Sequence, residues 1–346
     1  MSATRVLLLP SRNVFTNLAA EERLLQSTNA KTLLFYINTP CVVLGRTQNA
    51  FNEADVSFAK QQQIAIVRRR SGGGTVVHDE GNLNFCWMTS RDEYSPKKAA
   101  LMISEVLRNE FNVSGAHVSD RADIMIDGMK ISGAAYRISG NRAYHHGTLL
   151  VKSDLEQLSR VLRSPLRGDL TASGTKSVRS KVTNVWVHQE VGMQQLVEAI
   201  AKRFAGTEHM RTLSPYEVDG FERERQEIMS HGWVYGQTPR FQYEVELDQG
   251  RRITLHAKKG SVIENVELHA GGEHESKQHG LRDALVGRAF DGGDLAQGLR
   301  ASAGSIAESG AFFRGIADVL EARVPQQFWQ REEDTHAGAD ENLIGL

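Results

Sequence analysis

Cysteine is scarce in this chain of 346 residues, which has two, Cys41 and Cys86. Two cysteines cannot build a disulfide framework or a four-cysteine metal site, so these classes of small stapled protein are excluded. Each cysteine lies in an apolar stretch. This position predicts a buried, small hydrophobic residue, as is typical of a protein from a reducing compartment.

Long apolar runs and an excess of one charge are also missing. The longest apolar run lies near residues 6–9, far short of the roughly 18–20 residues that a membrane-spanning helix needs. The formal net charge is −1, which excludes the overall basic field of a nucleic-acid-binding protein. We therefore expect neither a membrane nor a nucleic acid as a partner.

The composition that remains is that of an ordinary globular protein, 40% hydrophobic and 24% charged. The length suits two domains, or one large domain with an appendage. The first two-thirds of the chain alternate strand and helix patterns, whereas the last third has strands followed by helices, without an internal repeat. This order predicts an α+β protein with one domain over residues 1–240 and a smaller α+β domain over residues 241–346.

Local patterns predict several connections between elements. The β-rich runs 32–37 and 41–45 predict a hairpin, because a turn sequence ending in proline separates them. Asp127-Gly128 lies between alternating apolar residues, which is a strong hairpin signal and places Lys130 early in the returning strand. In the last third, the Gly-, His- and Glu-rich residues 270–280 predict a surface loop, residues 281–290 a helix, and the residues after 328 a frayed acidic tail.

The densest group of unusual residues is the run Arg68-Arg69-Arg70-Ser71-Gly72-Gly73-Gly74-Thr75. Backbone N–H groups of a glycine loop can approach a phosphate closely, and arginines supply a fixed positive charge. A plain glycine turn between solvated arginines would look similar, but three charges at the end of an apolar strand are costly unless something pairs them. The run is neither a P-loop, since no Gly-Lys-Ser/Thr follows, nor a dinucleotide fingerprint, since it leads into a strand.

A second group combines charged and polar residues on predicted strands, namely Asp123, Lys130, Arg137 and His146. A strand lysine beside Ser-Gly could reach an anion as a point charge, and the carboxylate could hold Mg²⁺ or a ribose hydroxyl. A surface lysine, a turn aspartate and a hydrogen-bonded histidine are the ordinary interpretations of the same residues. Neither interpretation is decided by these residues alone.

Taken together, these runs resemble the signature of lipoate–protein ligases. The matching segments are residues 69–79 with 81–85, 130–137, 145–150, 17–22, 45–49 and 177–184. Residues 233–239 look like the motif that joins the catalytic domain of the family to its C-terminal accessory domain. The resemblance is ordered along nearly the whole chain and is most specific over the first 240 residues.

The resemblance implies a biotin/lipoate ligase-like catalytic domain, with mixed β-sheets flanked by helices, and a two-step reaction. Lipoate and MgATP would give lipoyl-AMP and pyrophosphate, and the lipoyl group would then pass to a lysine of a carrier domain. The expected carriers are the apo lipoyl domains of 2-oxoacid dehydrogenase E2 subunits and the H protein of glycine cleavage. The protein itself would be a monomer without a tightly bound cofactor.

The resemblance also assigns roles to residues. Lys130 would be the catalytic residue, bridging the lipoate carbonyl and the α-phosphate, and Asp123 would face the nucleotide or hold Mg²⁺. The predicted ATP-binding residues are Arg69, Gly74, Thr75, Val76, Val77, Asp123 and Lys130. The predicted lipoate-binding residues are Arg69, Ser71, Gly72, Gly73, His78, Lys130, Arg137 and His146. The loop of residues 168–182 would order over the adenylate and exclude water.

Other activities share parts of this pattern. A lipoyltransferase that uses preformed lipoyl-AMP has the same signature, and an octanoyl transferase of the same superfamily needs an exposed, activated cysteine. A biotin ligase would have a Gly-Arg-Gly loop, which is missing, and a non-catalytic binder would lack Lys130 or the arginines, which are present. We expect a cytoplasmic protein, or one of the mitochondrial matrix if a presequence is missing. Positive charge at residues 68–70 and 176–181 would suit an acidic carrier surface.

Overall fold

The computed structural model describes residues 4–207, 210–269, 275–305 and 310–327. Strands and helices alternate up to residue 205, in the order β1 (Thr4–Leu8), α1 (Val14–Ser27), β2 (Lys31–Tyr36), β3 (Cys41–Leu44), α2 (Ala50–Glu53), α3 (Val56–Gln61), β4 (Ala65–Arg68), β5 (Val76–His78), β6 (Asn82–Ser90), α4 (Lys98–Phe111), β7 (His117–Val118), β8 (Ile124–Ile126), β9 (Met129–Ser132), β10 (Ala134–Ser139), β11 (Arg142–Leu150), α5 (Leu155–Val161), β12 (Leu170–Ala172), α6 (Val185–His188) and α7 (Met193–Ala205). The remainder contains β13 (Arg211–Thr212), α8 (Phe221–Met229), α9 (His231–Val234), β14 (Phe241–Glu246), β15 (Arg252–Lys258), β16 (Val262–His269), α10 (Glu275–Leu285), α11 (Gly292–Ser305) and α12 (Gly310–Arg323).

A six-stranded mixed sheet in the order β10-β11-β6-β2-β1-β13 forms the centre of the first part. Strand β1 runs parallel to β2 and β13, and the other pairs are antiparallel. The near-continuous apolar run of β2 is typical of a strand that is buried on both faces. Its side chains divide accordingly, with Leu33 and Phe35 packed with α4 and α7, and Leu34 and Tyr36 packed with α1 and α8.

Two small sheets position the loops that matter below. In the sheet β4-β3-β5, β3 is parallel to β4 and antiparallel to β5, so the glycine-rich run connects two of its strands. In the sheet β7-β8-β9, the predicted Asp-Gly hairpin is confirmed between β8 and β9. Asp127 and Gly128 have φ angles of 49° and 75°, the left-handed values that this tight turn requires. Lys130 lies in the returning strand, as the pattern predicts.

The predicted hairpin between residues 32–37 and 41–45 is wrong, because β2 and β3 belong to different sheets. The side chain of Asn38 explains the crossing. It is fully buried, accepts from Asn17 Nδ2 at 2.8 Å and lies 2.9 Å from His78 Nδ1. These side-chain hydrogen bonds hold the segment that connects the two sheets. In a hairpin, by contrast, β2 and β3 would be hydrogen bonded to each other in one sheet.

A four-stranded antiparallel sheet, β12-β14-β15-β16, carries the last third of the chain. The β14 sequence alternates buried and exposed residues, and its buried face packs against α10, α11 and α12. Helix α10 begins at Glu275, so the predicted loop over 270–280 is wrong for its second half, and residues 270–274 lie outside the described part. The helix predicted over 281–290 therefore starts six residues earlier and ends at Leu285, with Gly280 and Leu281 buried. The tail after residue 328 also lies outside the described part.

The two predicted domains share one sheet and one core. Strand β12 comes from the first 240 residues and pairs with β14, and Phe51 stacks on Tyr235 and packs edge-on against Phe290. The boundary between residues 240 and 241 stays a prediction. The α+β class itself is confirmed, with mixed sheets flanked by helices and a strand-then-helix C-terminal part. Within the ranges given above, no helix is long and apolar enough to cross a membrane.

Candidate functional site

Two adjoining cavities lie between the glycine-rich run, β9, β11 and the segment of residues 173–182. Their volumes are about 340 Å³ and about 370 Å³. Both are lined by Thr75, Val76, Lys130, Gly133, Thr148, Ser177, Val178 and Ser180. The first cavity continues inward to buried polar side chains, and the second is walled by four leucines, Leu150, Leu155, Leu158 and Leu162. The arrangement suits an extended ligand with chemically different ends.

The glycine-rich loop is held in shape by Arg69. Its Nε donates to Ser71 Oγ at 2.8 Å, its Nη1 to the Val43 carbonyl at 3.0 Å, and its Nη2 to the carbonyls of Gly72 and Gly74 at 2.6 and 2.7 Å. Burial lowers the pKa of this guanidinium to about 10, so it stays charged at neutral pH. Arg69 therefore fixes the loop backbone, and it also lines the first cavity.

Close backbone contact between the glycine loop and the turn after β3 requires glycine at one position. A Cβ on Gly45 would lie 2.1 Å from the Gly73 carbonyl oxygen, a distance that no side chain tolerates. Gly73 itself has a φ of 84°, in the left-handed region that favours glycine. The turn at Gly45 and the glycine loop are thus packed backbone to backbone at the cavity wall.

The other two arginines of the triplet point away from the cavities. Arg68 is fully buried, and its guanidinium donates to backbone carbonyls on either side of it, including Gln48 at 2.7 Å and Val234 at 2.7 Å. Arg70 pairs with Glu224 at 2.7 Å and lies over the Trp233 ring. The predicted positive surface at residues 68–70 is therefore wrong, because these guanidinium groups are bonded to carbonyls and carboxylates within the protein.

Lys130 stands at the junction of the two cavities. Its Nζ is 2.8 Å from Asp123 Oδ1; Lys130 lines both cavities, whereas Asp123 lines the first. Gly133 makes room for the lysine, since a Cβ there would lie 3.2 Å from Lys130 Cε. An ammonium group at this place can contact ligand atoms in either cavity.

The inner wall of the first cavity is polar although it is buried. Asn38 Nδ2 donates to His78 Nδ1 at 2.9 Å, and burial lowers the pKa of His78 to about 3, with further contributions from Arg69 and His146. His146 contacts Ser71 Oγ through Nε2 at 2.8 Å and Glu21 Oε1 through Nδ1 at 2.7 Å. His78 is thus a neutral hydrogen-bonding group at pH 7 and cannot supply positive charge to a ligand.

Residues 173–182 form the outer wall of both cavities. Ser177 Oγ accepts from the Thr75 N–H at 2.9 Å and from Gln48 Nε2 at 3.0 Å. At the far end of the segment, Lys130 N donates to the Lys181 carbonyl at 2.8 Å. The segment is therefore fixed both to the glycine loop and to the strand that carries Lys130.

The structure gathers most of the predicted site residues at these cavities. Those that line the first cavity are Arg69, Gly73, Gly74, Thr75, Val76, His78, Asp123, Lys130 and His146. Val77 lines the second cavity, and Ser71 and Gly72 line neither cavity but accept hydrogen bonds from Arg69, which lines the first. Arg137 lines neither cavity, because it pairs with Glu22 at 2.9 Å and donates to the Arg70 carbonyl.

Sequence reasoning missed other lining residues. They include Leu18, Tyr36, Val43, Asn84 and Arg121 in the first cavity, and Leu150, Leu155, Leu158, Leu162 and Arg167 in the second. The leucines carry the ordinary apolar pattern of a core, so nothing local distinguishes them. Asn84 is the one that offered a signal, since an asparagine in the middle of a buried strand needs a polar partner.

Asp123 is the predicted Mg²⁺ ligand, and it is a single carboxylate already paired with Lys130. Among the described residues, no group of three or more His, Cys, Asp or Glu side chains could hold a metal ion. Protein sites commonly bind Mg²⁺ through one or two carboxylates together with substrate phosphates. These residues fit a cation that arrives with a nucleotide and do not fit a resident metal.

The buried histidines make stability sensitive to acid. Burial lowers the pKa of His145 to about 4 and that of His78 to about 3, so both are neutral in the folded protein. The unfolded chain binds these protons from about pH 6.5 downward, so the stability is full above pH 6.5 and is lost as pH falls towards the folded-state pKa values. We expect urea unfolding at pH 5 to give a free energy lower by up to about 2 kcal/mol per histidine than at pH 7.

His145→Gln is the variant that checks this prediction, because it removes a titrating group that lines neither cavity. Its loss of stability between pH 7 and pH 5 should be smaller than that of the wild type. An equal loss in both proteins would contradict the assignment to His145.

Comparison with known proteins gives a consistent picture. The family described as "Lipoyl protein ligase A/B catalytic domain" matches residues 13–205. The putative lipoate-protein ligase A of Saccharomyces cerevisiae is 35% identical over 271 residues, covering 73% of this chain and 65% of the yeast protein. The mitochondrial lipoyl amidotransferase LIPT1 of Homo sapiens is 33% identical over 300 residues, 81% of this chain and 80% of the human protein. The chain thus spans less than two thirds of the yeast relative's length.

Solved structures with similar folds include three ligases. A lipoate-protein ligase A bound with ATP has 25% identity and a TM-score of 0.55, covering 68% of this chain and 98% of that one. A putative lipoate protein ligase from T. acidophilum with bound lipoic acid has 26% identity and a TM-score of 0.54, with coverage of 68% and 98%. A bi-partite ligase of Thermoplasma acidophilum, described together with its E2 lipoyl domain, has 25% identity and a TM-score of 0.55, with coverage of 68% and 96%.

The matched family region contains the glycine loop, Lys130, Asp123 and the outer wall of the cavities. It covers more than half of the chain, and the yeast and human relatives, described as a putative lipoate-protein ligase A and a lipoyl amidotransferase, are about a third identical over the aligned residues. The chain therefore belongs to the lipoate–protein ligase family.

Proposed function

We propose that this protein activates lipoate with ATP and transfers the lipoyl group to a lysine of a carrier domain. The observation that carries the proposal is the position of Lys130, which lines both cavities where they meet. An acid in the first cavity and a nucleotide in the second would bring a carboxylate and an α-phosphate together at this ammonium group. Similar folds with bound ATP and with bound lipoic acid support the two ligands.

In the first step, a carboxylate oxygen of lipoate attacks the α-phosphorus of ATP, a P–O bond forms, and pyrophosphate leaves. Two anions must be held in contact and the developing charge must be stabilised. Lys130 supplies the charge at the junction, and Arg69 holds the glycine loop at the wall of the first cavity. Mg²⁺ would enter as part of the nucleotide substrate, with Asp123 as the nearby carboxylate.

In the second step, the amine of the carrier lysine attacks the carbonyl of the mixed anhydride, an amide forms, and AMP leaves. The anhydride is already activated, so this step needs no covalent enzyme intermediate. The outer wall of residues 173–182 lies over both cavities and would keep water from the anhydride. The proposed carriers are apo lipoyl domains of 2-oxoacid dehydrogenase E2 subunits and the glycine cleavage H protein, and the neighbour described with its E2 lipoyl domain supports the first of these.

A second candidate function is transfer from preformed lipoyl-AMP without activation of free lipoate. It is favoured by the similarity to the human lipoyl amidotransferase, which covers 80% of that protein. The same cavities would hold the preformed adenylate in this case. The two functions differ in whether pyrophosphate is released, and this difference makes them separable.

An octanoyl transferase that works through a cysteine thioester does not fit the geometry. Cys41 and Cys86 are fully buried, and burial raises the pKa of both thiols far above neutral pH. We expect the double variant Cys41→Ala, Cys86→Ala to keep lipoyl transfer in the same order of magnitude as the wild type. Intact-mass measurement of the carrier checks this, and loss of transfer from a folded double variant would contradict it.

The decisive experiment incubates the protein with an apo lipoyl domain, lipoate and MgATP, and follows carrier mass and pyrophosphate together. A lipoyl adduct with pyrophosphate release supports the complete ligase. An adduct that forms only from synthetic lipoyl-AMP, without pyrophosphate, supports the transferase. No adduct from either donor would overturn both functions.

A further inference from the structure

A chain of buried hydrogen bonds connects helix α1 to the glycine loop. Glu21 on α1, His146 on β11 and Ser71 in the loop are 1%, 8% and 1% exposed. Glu21 Oε1 lies 2.7 Å from His146 Nδ1, His146 Nε2 lies 2.8 Å from Ser71 Oγ, and Ser71 Oγ lies 2.8 Å from Arg69 Nε. Tyr36 donates its hydroxyl to the second oxygen of Glu21 at 3.0 Å. The chain joins three elements that are far apart in sequence.

The direction of these hydrogen bonds follows from Arg69. A guanidinium Nε can only donate, so Ser71 Oγ accepts from Arg69 and has its own hydrogen left to donate. The acceptor within reach is His146 Nε2, which must then carry no proton. The proton of the neutral imidazole is therefore on Nδ1, where the Glu21 carboxylate accepts it. Each bond in the chain fixes the direction of the next.

We propose that Glu21 is a positioning residue that holds His146 in its Nδ1–H form and, through Ser71, fixes the orientation of Arg69 against the glycine loop. The carboxylate selects the tautomer because it can accept but not donate. With the opposite tautomer, Nε2 would donate to Ser71, whose oxygen already accepts from Arg69, and the serine hydrogen would lose its acceptor. Burial lowers the pKa of the Arg69 guanidinium, and the Glu21 carboxylate is one of the neighbouring groups that act in the opposite direction.

The consequence for the cavity is a wall with fixed hydrogen-bonding character. His146 and Arg69 both line the first cavity, and Arg69 holds the carbonyls of Gly72 and Gly74. Loss of the tautomer would release one anchor of Arg69 and loosen the loop that the acid and the nucleotide contact. We therefore expect a substitution of Glu21 to weaken lipoate binding, although Glu21 does not line either cavity. This kinetic part rests on the proposed function, whereas the tautomer does not.

The tautomer is measured directly by NMR on protein labelled with ¹⁵N-histidine. A protonated and a bare ring nitrogen have widely separated ¹⁵N shifts, and the signal of His146 is identified by its absence in His146→Gln. The expected wild-type result is a protonated Nδ1 and a bare Nε2. A wild-type His146 with its proton on Nε2, or on both nitrogens at pH 7.5, would overturn the proposal without any variant at Glu21.

Glu21→Gln is the test variant, and Glu22→Gln is its matched control. Both glutamates are buried on α1, but Glu22 pairs with Arg137 and Gln26 and does not contact the imidazole. Glu21→Gln should give a mixed or reversed His146 tautomer and raise the KM for lipoate in pyrophosphate release by about tenfold. Glu22→Gln should leave the His146 signals unchanged.

Glu21→Asp retains the carboxylate, so we expect a larger fraction of the Nδ1–H form of His146 in this variant than in Glu21→Gln. A general packing defect would affect both variants alike. If Glu21→Gln folds with unchanged tautomer and KM, the proposal is wrong. If the wild type shows the expected tautomer but yields no lipoyl adduct from either donor, the proposed function fails while the assignment of His146 stands.

Discussion

Replacing Lys130 by alanine is expected to reduce pyrophosphate release by at least about 10³-fold while the protein stays folded. The ammonium lies at the junction of the two cavities, within 2.8 Å of Asp123, and is the charge that would contact both reacting anions. Its removal leaves the Asp123 carboxylate of the first cavity without its partner beside the reacting anions, which adds repulsion to the lost attraction. The loss should appear in kcat, because the developing charge is stabilised in the transition state.

Lys97→Ala is the matched control for this variant. Lys97 forms an ion pair with Asp120 at 3.3 Å, but both side chains are on the exposed surface. Each substitution removes one lysine from one lysine–aspartate pair, and a surface pair such as Lys97–Asp120 contributes at most about 1 kcal/mol to stability. Unchanged pyrophosphate release in Lys130→Ala, or an equal loss in Lys97→Ala, would exclude the catalytic role of Lys130.

Arg68→Met is expected to lower the free energy of unfolding by about 3–5 kcal/mol. The guanidinium of Arg68 is fully buried and donates to the carbonyls of Gly45, Gln48 and Val234. A methionine fills similar space but donates nothing, so these acceptors lose the charged donor that satisfies them. Urea unfolding at pH 7, with the transition midpoint and slope compared with those of the wild type, measures the loss.

Arg70→Met provides the comparison within the same triplet. Arg70 is partly exposed, pairs with Glu224 at 2.7 Å and covers the Trp233 ring, so its replacement should cost about 1–2 kcal/mol. Arg68→Met is therefore expected to lower the free energy of unfolding more than Arg70→Met does. The reverse order, or a cost below about 1 kcal/mol for Arg68→Met, would show that other groups satisfy the carbonyls.

Much of the candidate site could be predicted from the sequence, because the unusual residues that form it are close together in the chain. Three glycines after three arginines, and a lysine two residues after an Asp-Gly turn, are each local signals, and the structure brings them to the same cavities. The hairpin that presents Lys130 followed from backbone chemistry alone, since Asp127 and Gly128 adopt the positive φ angles that their residue types favour.

The sequence does not predict which distant residues a given side chain contacts in the folded protein. Whether a given arginine faces a ligand or the core depends on elements elsewhere in the chain, as with Arg68 and Val234. Arg137 was expected at the lipoate, yet the buried Glu22 of α1 holds it away from the cavity. The failed hairpin after β2 has the same origin, because the buried Asn38 side chain bonds to Asn17, 21 residues earlier, and to His78, 40 residues later.

The pairing of β12 with β14 has a consequence for how the protein is made. Strand β12 ends at Ala172 and its partner begins at Phe241, so the ribosome must add about 70 further residues before the two can meet. At about 5–20 residues per second, several seconds pass between the synthesis of the two strands. The outer wall of the cavities follows β12 directly in the chain. A newborn chain therefore has its glycine loop, Lys130 and the wall segment for several seconds before β12, which leads into that segment, gains its partner strand.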